Sequence, residues 1–328
     1  NVVGRVLSGI FDLGTILFIY LIGRRLYRQA RLGLLAALFS ALAVLQIQLS
    51  HFFTVDNFAN FFTYAAIYVA VRIATSMREL PLVLAEDSRK DQLPQWFTAH
   101  WRSVVPYVFF GLLYGAALAS KVSVYALAAL LPLSAFLYYR KLPESQKRSS
   151  LLILARNLVI AGIVAFLSFR IFQPYTFEGP GFFNMNLNPG WLSSLRELSV
   201  IQSGEVDVPY ALQWARRPVV FTIKNLVLYG LGIPLGVLSL AGLLWMGWRI
   251  LKGDWEKHLL IWVWTAFVLI TQSLVHVKSM RYVISIYPAL ALIAAWVIFK
   301  LYETGSSDVQ KISYFRFNWK KVLAISAL

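Results

Sequence analysis

The chain of 328 residues contains no cysteine, and only 14% of its residues are charged. The absence of cysteine excludes a disulfide framework and a thiolate metal site. Because soluble domains carry about 25% charged residues, the low charge content argues against a soluble globular enzyme. No histidine has a second histidine at metal-ligand spacing, and there is no phosphate-binding P-loop and no nucleophile elbow. The sequence therefore supports neither ATP-driven transport nor serine hydrolysis.

Apolar residues dominate the sequence: they make up 59% of it, and the mean hydropathy is +0.64. The formal net charge of +16 is also high. In a nucleic-acid-binding protein such a charge lines a polar face, whereas here the cations stand between long apolar runs. The composition therefore predicts an integral membrane protein without a nucleic-acid partner.

Nine apolar runs approach the roughly 20 residues that a transmembrane helix needs, and a tenth begins at Val322. The fold class predicted is all-α, a polytopic transmembrane helix bundle of nine to ten spans. The predicted spans are Gly4–Ile22, Leu32–Leu49, Phe58–Thr75, Val104–Ala119, Val124–Tyr139, Leu151–Phe169, Phe221–Trp248, Leu259–Leu274 and Val283–Leu301.

Ser120–Ser123 interrupts one continuous apolar stretch, from Val104 to Tyr139. We interpret the interruption as a tight turn between two helices. The alternative is one long helix followed by a re-entrant piece.

The distribution of lysine and arginine predicts the orientation of the spans, since short cytoplasmic loops are rich in both. Strict alternation from a cytoplasmic end of the first span places 22 of the 31 cations inside. The nine on the outer side are Arg5, Lys121, Arg170, Arg196, Arg216, Arg217, Lys224, Lys278 and Arg281.

The longest outer loop, residues 170–220, is rich in proline, glycine and aromatic residues. Within Trp191–Gln202, Trp191, Leu195 and Leu198 share one helical face, which predicts an amphipathic helix at the membrane surface. Short outer-face helices are therefore expected in this loop.

His51 and Asp56 lie at an outer helix junction and are surrounded by phenylalanine. Ionisable groups near lipid are costly unless they are paired, and such groups are often functional. We interpret both as candidate catalytic residues. The alternative for Asp56 is a purely structural N-cap of the following helix.

Two further outer junctions carry cations, Lys121 in one and Lys278 with Arg281 and Tyr282 in the other. Arginine binds phosphate oxygens in a bidentate manner, and lysine acts as a point charge. Together with His51 and Asp56 they indicate a site for an anionic lipid headgroup. The alternatives are that Lys121 snorkels to the interface and that Arg281 anchors the chain to lipid headgroups.

Two other features of the spans favour packing. Asp12 lies in the middle of the first span, and we expect it to be buried in a packing or hydrogen-bonding role. The glycine pairs Gly111/Gly115 and Gly232/Gly236 have the spacing of helix contacts.

Five stretches, taken in order, resemble the GT-C superfamily of integral membrane glycosyltransferases. The resemblance is to the family 39 type, which includes protein O-mannosyltransferases and aminoarabinose lipid A transferases. The stretches are Gly4–Ser8 leading to Tyr20–Leu26, Ser50–Asp56, Ala117–Lys121, Gln173–Tyr175, and Arg281-Tyr282 followed by Tyr287-Pro288.

The resemblance implies an inverting transfer of a sugar from a polyprenyl-phosphate carrier to a lipid, glycan or protein hydroxyl. The site would face outward from a bacterial or archaeal cytoplasmic membrane. The resemblance implies no definite cofactor, and it leaves open whether a divalent cation takes part in the reaction. The family's principal carboxylate follows its first transmembrane helix. We therefore expect that carboxylate upstream of Asn1, in a transmembrane domain of which residues 1–328 are a part incomplete at both ends.

The resemblance also implies roles for single residues. Asp56 would be a second acidic group near the acceptor or the leaving phosphate, and His51 would orient it or contact the sugar. The remaining roles are phosphate neutralisation by Lys121, Lys278 and Arg281, a phosphate hydrogen bond from Tyr282, and sugar stacking by Tyr175 and Trp214.

Two classes other than an enzyme stay open at this point. One is a polytopic transporter or lipid flippase in which the outer cluster is an anion site, and the other is a non-catalytic scaffold. A transporter should show charged residues deep in several helices and paired broken helices. In this sequence Asp12 alone is deep in a predicted span.

Overall fold

The structure, a computed structural model, describes residues 2–76, 93–179, 181–206 and 208–311. In 93–100 and 305–311 the description covers the backbone only. The span predicted to begin at Val322 lies outside the described residues.

Twelve α-helices make up most of the described chain, and seven of its helical segments are long and apolar enough to cross a membrane. The count rises to eight if one bent pair is a single span. The all-α membrane class is confirmed, and the span count agrees approximately with the expected nine to ten. The helices are α1 (Val2–Tyr27), α2 (Ala30–Ala41), α3 (Val44–Ser50), α4 (Val55–Ala74), α5 (Leu93–Ser120), α6 (Leu130–Tyr139), α7 (Glu144–Phe172), α8 (Pro189–Ser203), α9 (Val220–Asn225), α10 (Ile233–Leu251), α11 (Trp255–Leu274) and α12 (Tyr287–Lys311).

Two runs that were predicted as single spans are broken. The prediction was wrong for Phe221–Trp248, whereas Leu32–Leu49 is still long and apolar enough to be one bent span. The run Leu32–Leu49 forms α2 and α3, which are bent by 65° relative to each other. The run Phe221–Trp248 forms α9, a π-helical turn over Leu226–Gly230, and α10. Gly232 separates the last two at φ +83°, a conformation that glycine adopts without steric cost.

The chain folds into two compact units. Unit 1 comprises residues 1–57 and 214–328 and is built around α12, which packs against α1, α2 and α10. From Ala289 to Ala295 the side chains of α12 have 0% exposure. The apolar character of this helix therefore serves contact with protein, not contact with lipid.

Unit 2 comprises residues 58–213, and its most extensive helix packing is between α5 and α7. A Cβ on Gly115 would lie 2.4 Å from the carbonyl oxygen of Ala165, so only glycine permits this approach. The packing role predicted for Gly111 and Gly115 is confirmed. A cavity of about 420 Å³ with apolar walls lies among α5, α6 and α7.

The predicted break at Lys121 is confirmed, because α5 ends at Ser120 and a 3-10 helix begins at Val122. The predicted amphipathic helix is confirmed as α8. Asn188 caps it by accepting a hydrogen bond from the Gly190 amide at 2.9 Å, and Gly204 ends it in the left-handed conformation. Its placement at a membrane surface stays a prediction.

Candidate functional site

The two ends of unit 1 carry different polar groups. At one end the start of α1 meets the segment before α4, since a Cβ on Gly4 would lie 2.7 Å from the Phe53 ring. Asp56 and Arg281 lie at this end, which we call the site end. At the other end the Tyr27 hydroxyl lies 3.1 Å from Nδ1 of His258, and we call it the opposite end.

An ion pair between Asp56 and Arg281 is the centre of the site end. The guanidinium donates to one carboxylate oxygen, Oδ2, from Nε at 3.0 Å and from a terminal nitrogen at 2.6 Å. The Asp56 side chain is 1% exposed, whereas that of Arg281 is 52% exposed. The pair therefore has a buried acidic half and a basic half that reaches the surface.

The start of α4 explains why a carboxylate is tolerated at this position. Asp56 lies in the first turn of α4, where the helix dipole stabilises negative charge. Because α4 already begins at Val55, Asp56 is not the N-cap that the structural alternative required. The neighbouring Asn57 donates from Nδ2 to the Leu49 carbonyl at 3.0 Å and so links α4 to α3.

Arg281 belongs to a 3-10 helix, Met280–Ile286, which leads directly into α12. Its neighbour Tyr282 is partly exposed, and the Tyr282 amide donates to the Ser279 carbonyl at 3.0 Å. Residues 283–298 are all buried. Arg281 and Tyr282 thus form the accessible edge of an otherwise buried segment.

Lys278 lies three residues before Arg281, but its ammonium points to backbone carbonyls. It donates to the Val275 carbonyl at 2.6 Å and to the Ser273 carbonyl at 3.2 Å. The side chain is 6% exposed, and burial lowers the pKa of Lys278. In this position Lys278 caps the end of α11, and its predicted contact with phosphate stays a prediction.

His51 is exposed and follows the last residue of α3. Its Nδ1 donates to the Ile47 carbonyl at 2.7 Å, which leaves Nε2 as the proton-accepting ring nitrogen. The described hydrogen bond of His51 is therefore with its own helix end and not with Asp56. A contact between His51 and the sugar stays a prediction.

The other three predicted residues lie elsewhere in the chain. Trp214, which belongs to unit 1, is partly exposed at the end of a short 3-10 helix, Leu212–Trp214. Lys121, in unit 2, has an extended backbone and a partly buried side chain at the end of α5. Tyr175, also in unit 2, is 60% exposed, and its carbonyl accepts from Asn188 Nδ2 at 3.0 Å. Their predicted roles stay predictions.

Arg170 has a structural role that the sequence analysis missed. The guanidinium lies 4.6 Å from the Phe177 ring centroid and 5.3 Å from that of Phe182, and it donates to the Gly181 carbonyl at 3.1 Å. The side chain is 5% exposed. An arginine at the end of an apolar run, followed by several phenylalanines, is the signal that could have revealed this cation–π packing.

The site offers cationic and hydrogen-bonding groups rather than a metal-ligand set. Among the residues that the structure describes, no three His, Asp or Glu side chains come together in a way that could hold a metal ion. The chemistry available at the site end is binding of an anion by Arg281, with Asp56 fixing the orientation of the guanidinium.

Comparisons with known proteins agree with the resemblance seen in the motifs. Residues 1–85 match the family described as dolichyl-phosphate-mannose-protein mannosyltransferase. No curated protein matches the chain in sequence.

Solved structures show the fold over almost the whole chain. The apo oligosaccharyltransferase of Archaeoglobus fulgidus has a TM-score of 0.53 at 16% identity, covering 98% of this chain and 43% of its own. The same enzyme tethered with an acceptor peptide containing the NVT sequon has a TM-score of 0.54 at 15% identity, covering 99% of this chain and 42% of its own. ArnT from Cupriavidus metallidurans, bound to undecaprenyl phosphate, has a TM-score of 0.50 at 16% identity, covering 93% and 48%.

At these identities the solved structures establish a shared fold, and this chain spans less than half the length of each. The family match and the fold together confirm the predicted resemblance to GT-C membrane glycosyltransferases.

Proposed function

We propose that this chain is part of a membrane glycosyltransferase that transfers a sugar from a polyprenyl-phosphate carrier to a hydroxyl of a lipid, glycan or protein. One observation carries the proposal: the half-exposed Arg281, held by the buried carboxylate of Asp56. The fold shared with an oligosaccharyltransferase and with ArnT supports the reaction class, and the ArnT structure contains undecaprenyl phosphate.

The reaction needs positive charge where the leaving phosphate develops its negative charge. The acceptor oxygen forms a bond to the anomeric carbon, the bond from that carbon to the phosphate oxygen breaks, and the electron pair stays on the phosphate. A guanidinium that is already fixed in orientation stabilises this charge without reorganising. We assign this role to Arg281, with Tyr282 as a hydrogen-bond donor to the same phosphate.

Asp56 acts in this proposal through Arg281. Its side chain is 1% exposed and bonded to the guanidinium, so it does not meet an acceptor hydroxyl. The acceptor proton goes instead to a separate general base, the role that the family resemblance assigns to a principal carboxylate after the first transmembrane helix of the family. Inversion at the anomeric carbon follows from this single displacement.

The roles of the remaining predicted residues rest on the family resemblance. We propose that Lys121 and Lys278 add positive charge near the carrier phosphate, and that Nε2 of His51 contacts the sugar. The loop of residues 170–220 would cover sugar and acceptor, with Tyr175 and Trp214 stacking on sugar rings. All of these groups would face the outer side of the membrane, where lipid-linked sugars and acceptors meet.

The test is transfer by the full-length protein carrying Asp56→Asn or Arg281→Ala. We expect each to lower transfer at least about tenfold, which corresponds to a loss of about 1.4 kcal/mol of transition-state stabilisation. Glu144→Gln is the control, because it removes an exposed ion pair with Lys147 and should leave transfer unchanged.

A double variant without either charge distinguishes a folding defect from a loss of catalysis. Asp56→Asn combined with Arg281→Gln keeps a polar contact and removes both charges, so thermal stability should recover while transfer stays low. Near-normal transfer in both single variants would contradict the assignment of the site.

A further inference from the structure

A chain of three polar side chains lies inside the helices of unit 1, at the point where α2 breaks into α3. The Ser40 hydroxyl donates to Oε1 of Gln46 at 3.2 Å, and Nε2 of Gln46 donates to Oδ1 of Asp12 at 2.7 Å. Ser40 is 0% exposed and Gln46 is 1% exposed. The hydrogen-bonding role expected of Asp12 is thereby confirmed, although its side chain is only partly buried. Gln46 joins three helices.

The helix that carries Gln46 depends on such contacts for its position. α3 has seven residues, so it is about 10 Å long at ~1.5 Å per residue. Isolated helices shorter than ~12–15 residues are marginal in water, and α3 also leaves α2 at an angle of 65°. Tertiary contacts must therefore fix α3, and the bonds of Gln46 fix its first turn to α1 and α2.

The last turn of α3 is tied to the proposed site. The Leu49 carbonyl accepts from Asn57 at 3.0 Å, and Asn57 is adjacent to Asp56 in α4. His51, which follows α3, donates to the Ile47 carbonyl. The position of α3 therefore sets the position of the whole segment from His51 to Asp56.

We infer that Asp12 and Gln46 are positioning residues for the segment 51–56, acting through α3. The inference rests on the proposed function, because it explains how the segment that bears His51 and Asp56 is held. A carboxylate suits this role, since a hydrogen bond to a charged acceptor is roughly twice as strong as a neutral one. The Ser40 hydroxyl donates to the oxygen of the Gln46 side-chain amide. This hydrogen bond fixes the orientation of the amide, so that its nitrogen points to Asp12.

The absence of cysteine permits a reporter in the segment itself. Phe52→Cys introduces a thiol at a side chain that is 50% exposed. With any cysteine elsewhere in the full-length protein replaced by serine, a nitroxide attached there reports local mobility by electron paramagnetic resonance. In the full-length protein with this reporter, Asp12→Ala and Gln46→Met should each give a more mobile label. Turnover should fall about tenfold or more, because a ~1 Å misplacement of reacting groups can cost 10²-fold.

Two further variants control for folding. Asp12→Asn still accepts a hydrogen bond from Gln46, so it should restore a label as immobile as in the parent protein. Ser8→Ala is the matched control: Ser8 lies one turn from Asp12 on α1, is 0% exposed, and its hydroxyl has no hydrogen-bond partner among the described residues. We expect Ser8→Ala to leave label mobility and turnover unchanged.

The label separates failure of this inference from failure of the proposed function. An unchanged label in both Asp12→Ala and Gln46→Met would overturn the positioning role, even if Asp56→Asn abolishes transfer. A label that is mobile in Asp12→Ala and Gln46→Met but immobile in Asp12→Asn would support the positioning role. If Asp56→Asn then left transfer intact, the proposed function would fail and the positioning role would stand.

Discussion

The two ends of unit 1 carry ion pairs of opposite character. At the opposite end Lys300 pairs with Glu303 at 2.6 Å, three residues apart, with both side chains about 40% exposed. Gln29 also donates to Glu303 there at 3.0 Å. At the site end Asp56 and Arg281 are 225 residues apart in sequence, and the acid is 1% exposed.

The two pairs differ in the free energy that is needed to bury their charges. An exposed pair contributes about 0–1 kcal/mol and costs little to form. Burying a carboxylate costs several kcal/mol before its partner offsets it, and apolar replacements of buried pairs are often neutral or stabilising. The burial of Asp56 therefore fits the proposed role of fixing the orientation of Arg281.

A second contrast concerns buried polar groups without an ion pair. At the opposite end His258 is 2% exposed, lies 3.1 Å from the Tyr27 hydroxyl, and packs its ring against Trp296 with the centroids 4.9 Å apart. This cluster is held by aromatic packing and one hydrogen bond. It gives a structural reference against which the site end can be compared.

The largest effect is expected from breaking the ion pair between Asp56 and Arg281. Arg281→Ala leaves the buried Asp56 carboxylate without this guanidinium, which should cost about 3 kcal/mol of unfolding free energy. Lys300→Ala should cost less than about 1 kcal/mol, because its pair is half exposed. Unfolding in mixed micelles by titration with a denaturing detergent measures both, and equal losses would remove the contrast between the two ends.

A smaller effect is expected at the structural cluster. Tyr27→Phe removes the hydroxyl beside His258 and keeps the ring, so it should cost about 1 kcal/mol of stability. Transfer by the full-length protein should be unchanged. A loss of transfer without loss of stability would show that the opposite end also takes part in the reaction.

The smallest effect is a pH dependence at Lys278. Burial lowers the pKa of Lys278 below its ordinary value of 10.5, so above the folded-state pKa the unfolded chain binds more protons than the folded one. Stability should therefore rise with pH up to about 10.5. Thermal unfolding at alkaline pH values up to about 10.5 should show this slope in the parent protein and a shallower one in Lys278→Met. The half-exposed Lys300→Met is the control, and an equally shallow slope there would contradict the assignment.

Much of the fold could be predicted from the sequence, because span length and apolar runs are local properties. The break at Lys121 followed from the short polar interruption Ser120–Ser123, and the helix α8 followed from the helical spacing of Trp191, Leu195 and Leu198. The bend between α2 and α3 was missed, although Ser40 and Gln46 interrupt that apolar run. Hydropathy averages over such residues, whereas in the fold Ser40 donates a hydrogen bond to Gln46 and Gln46 donates one to Asp12.

The candidate site was predictable in its members but not in its arrangement. Asp56 and Arg281 were identified separately, one for acid–base work and one for phosphate. Their pairing depends on tertiary structure across 225 residues, which no local pattern encodes. For the same reason the carbonyl acceptors of Lys278 could not be foreseen, since they depend on how α11 ends.

Because Asp56 and Arg281 are 225 residues apart in sequence, their ion pair can form only late in synthesis of the chain. At about 5–20 residues per second, the ribosome needs roughly 10 to 45 s to pass from Asp56 to Arg281. The helix α12, which forms the centre of unit 1, follows only after that. During this interval α1, α2 and α3 are already made, but the surfaces that will pack on α12 have no partner yet. The final packing of unit 1 is therefore a late event in biogenesis, and the site matures only when its last helix arrives.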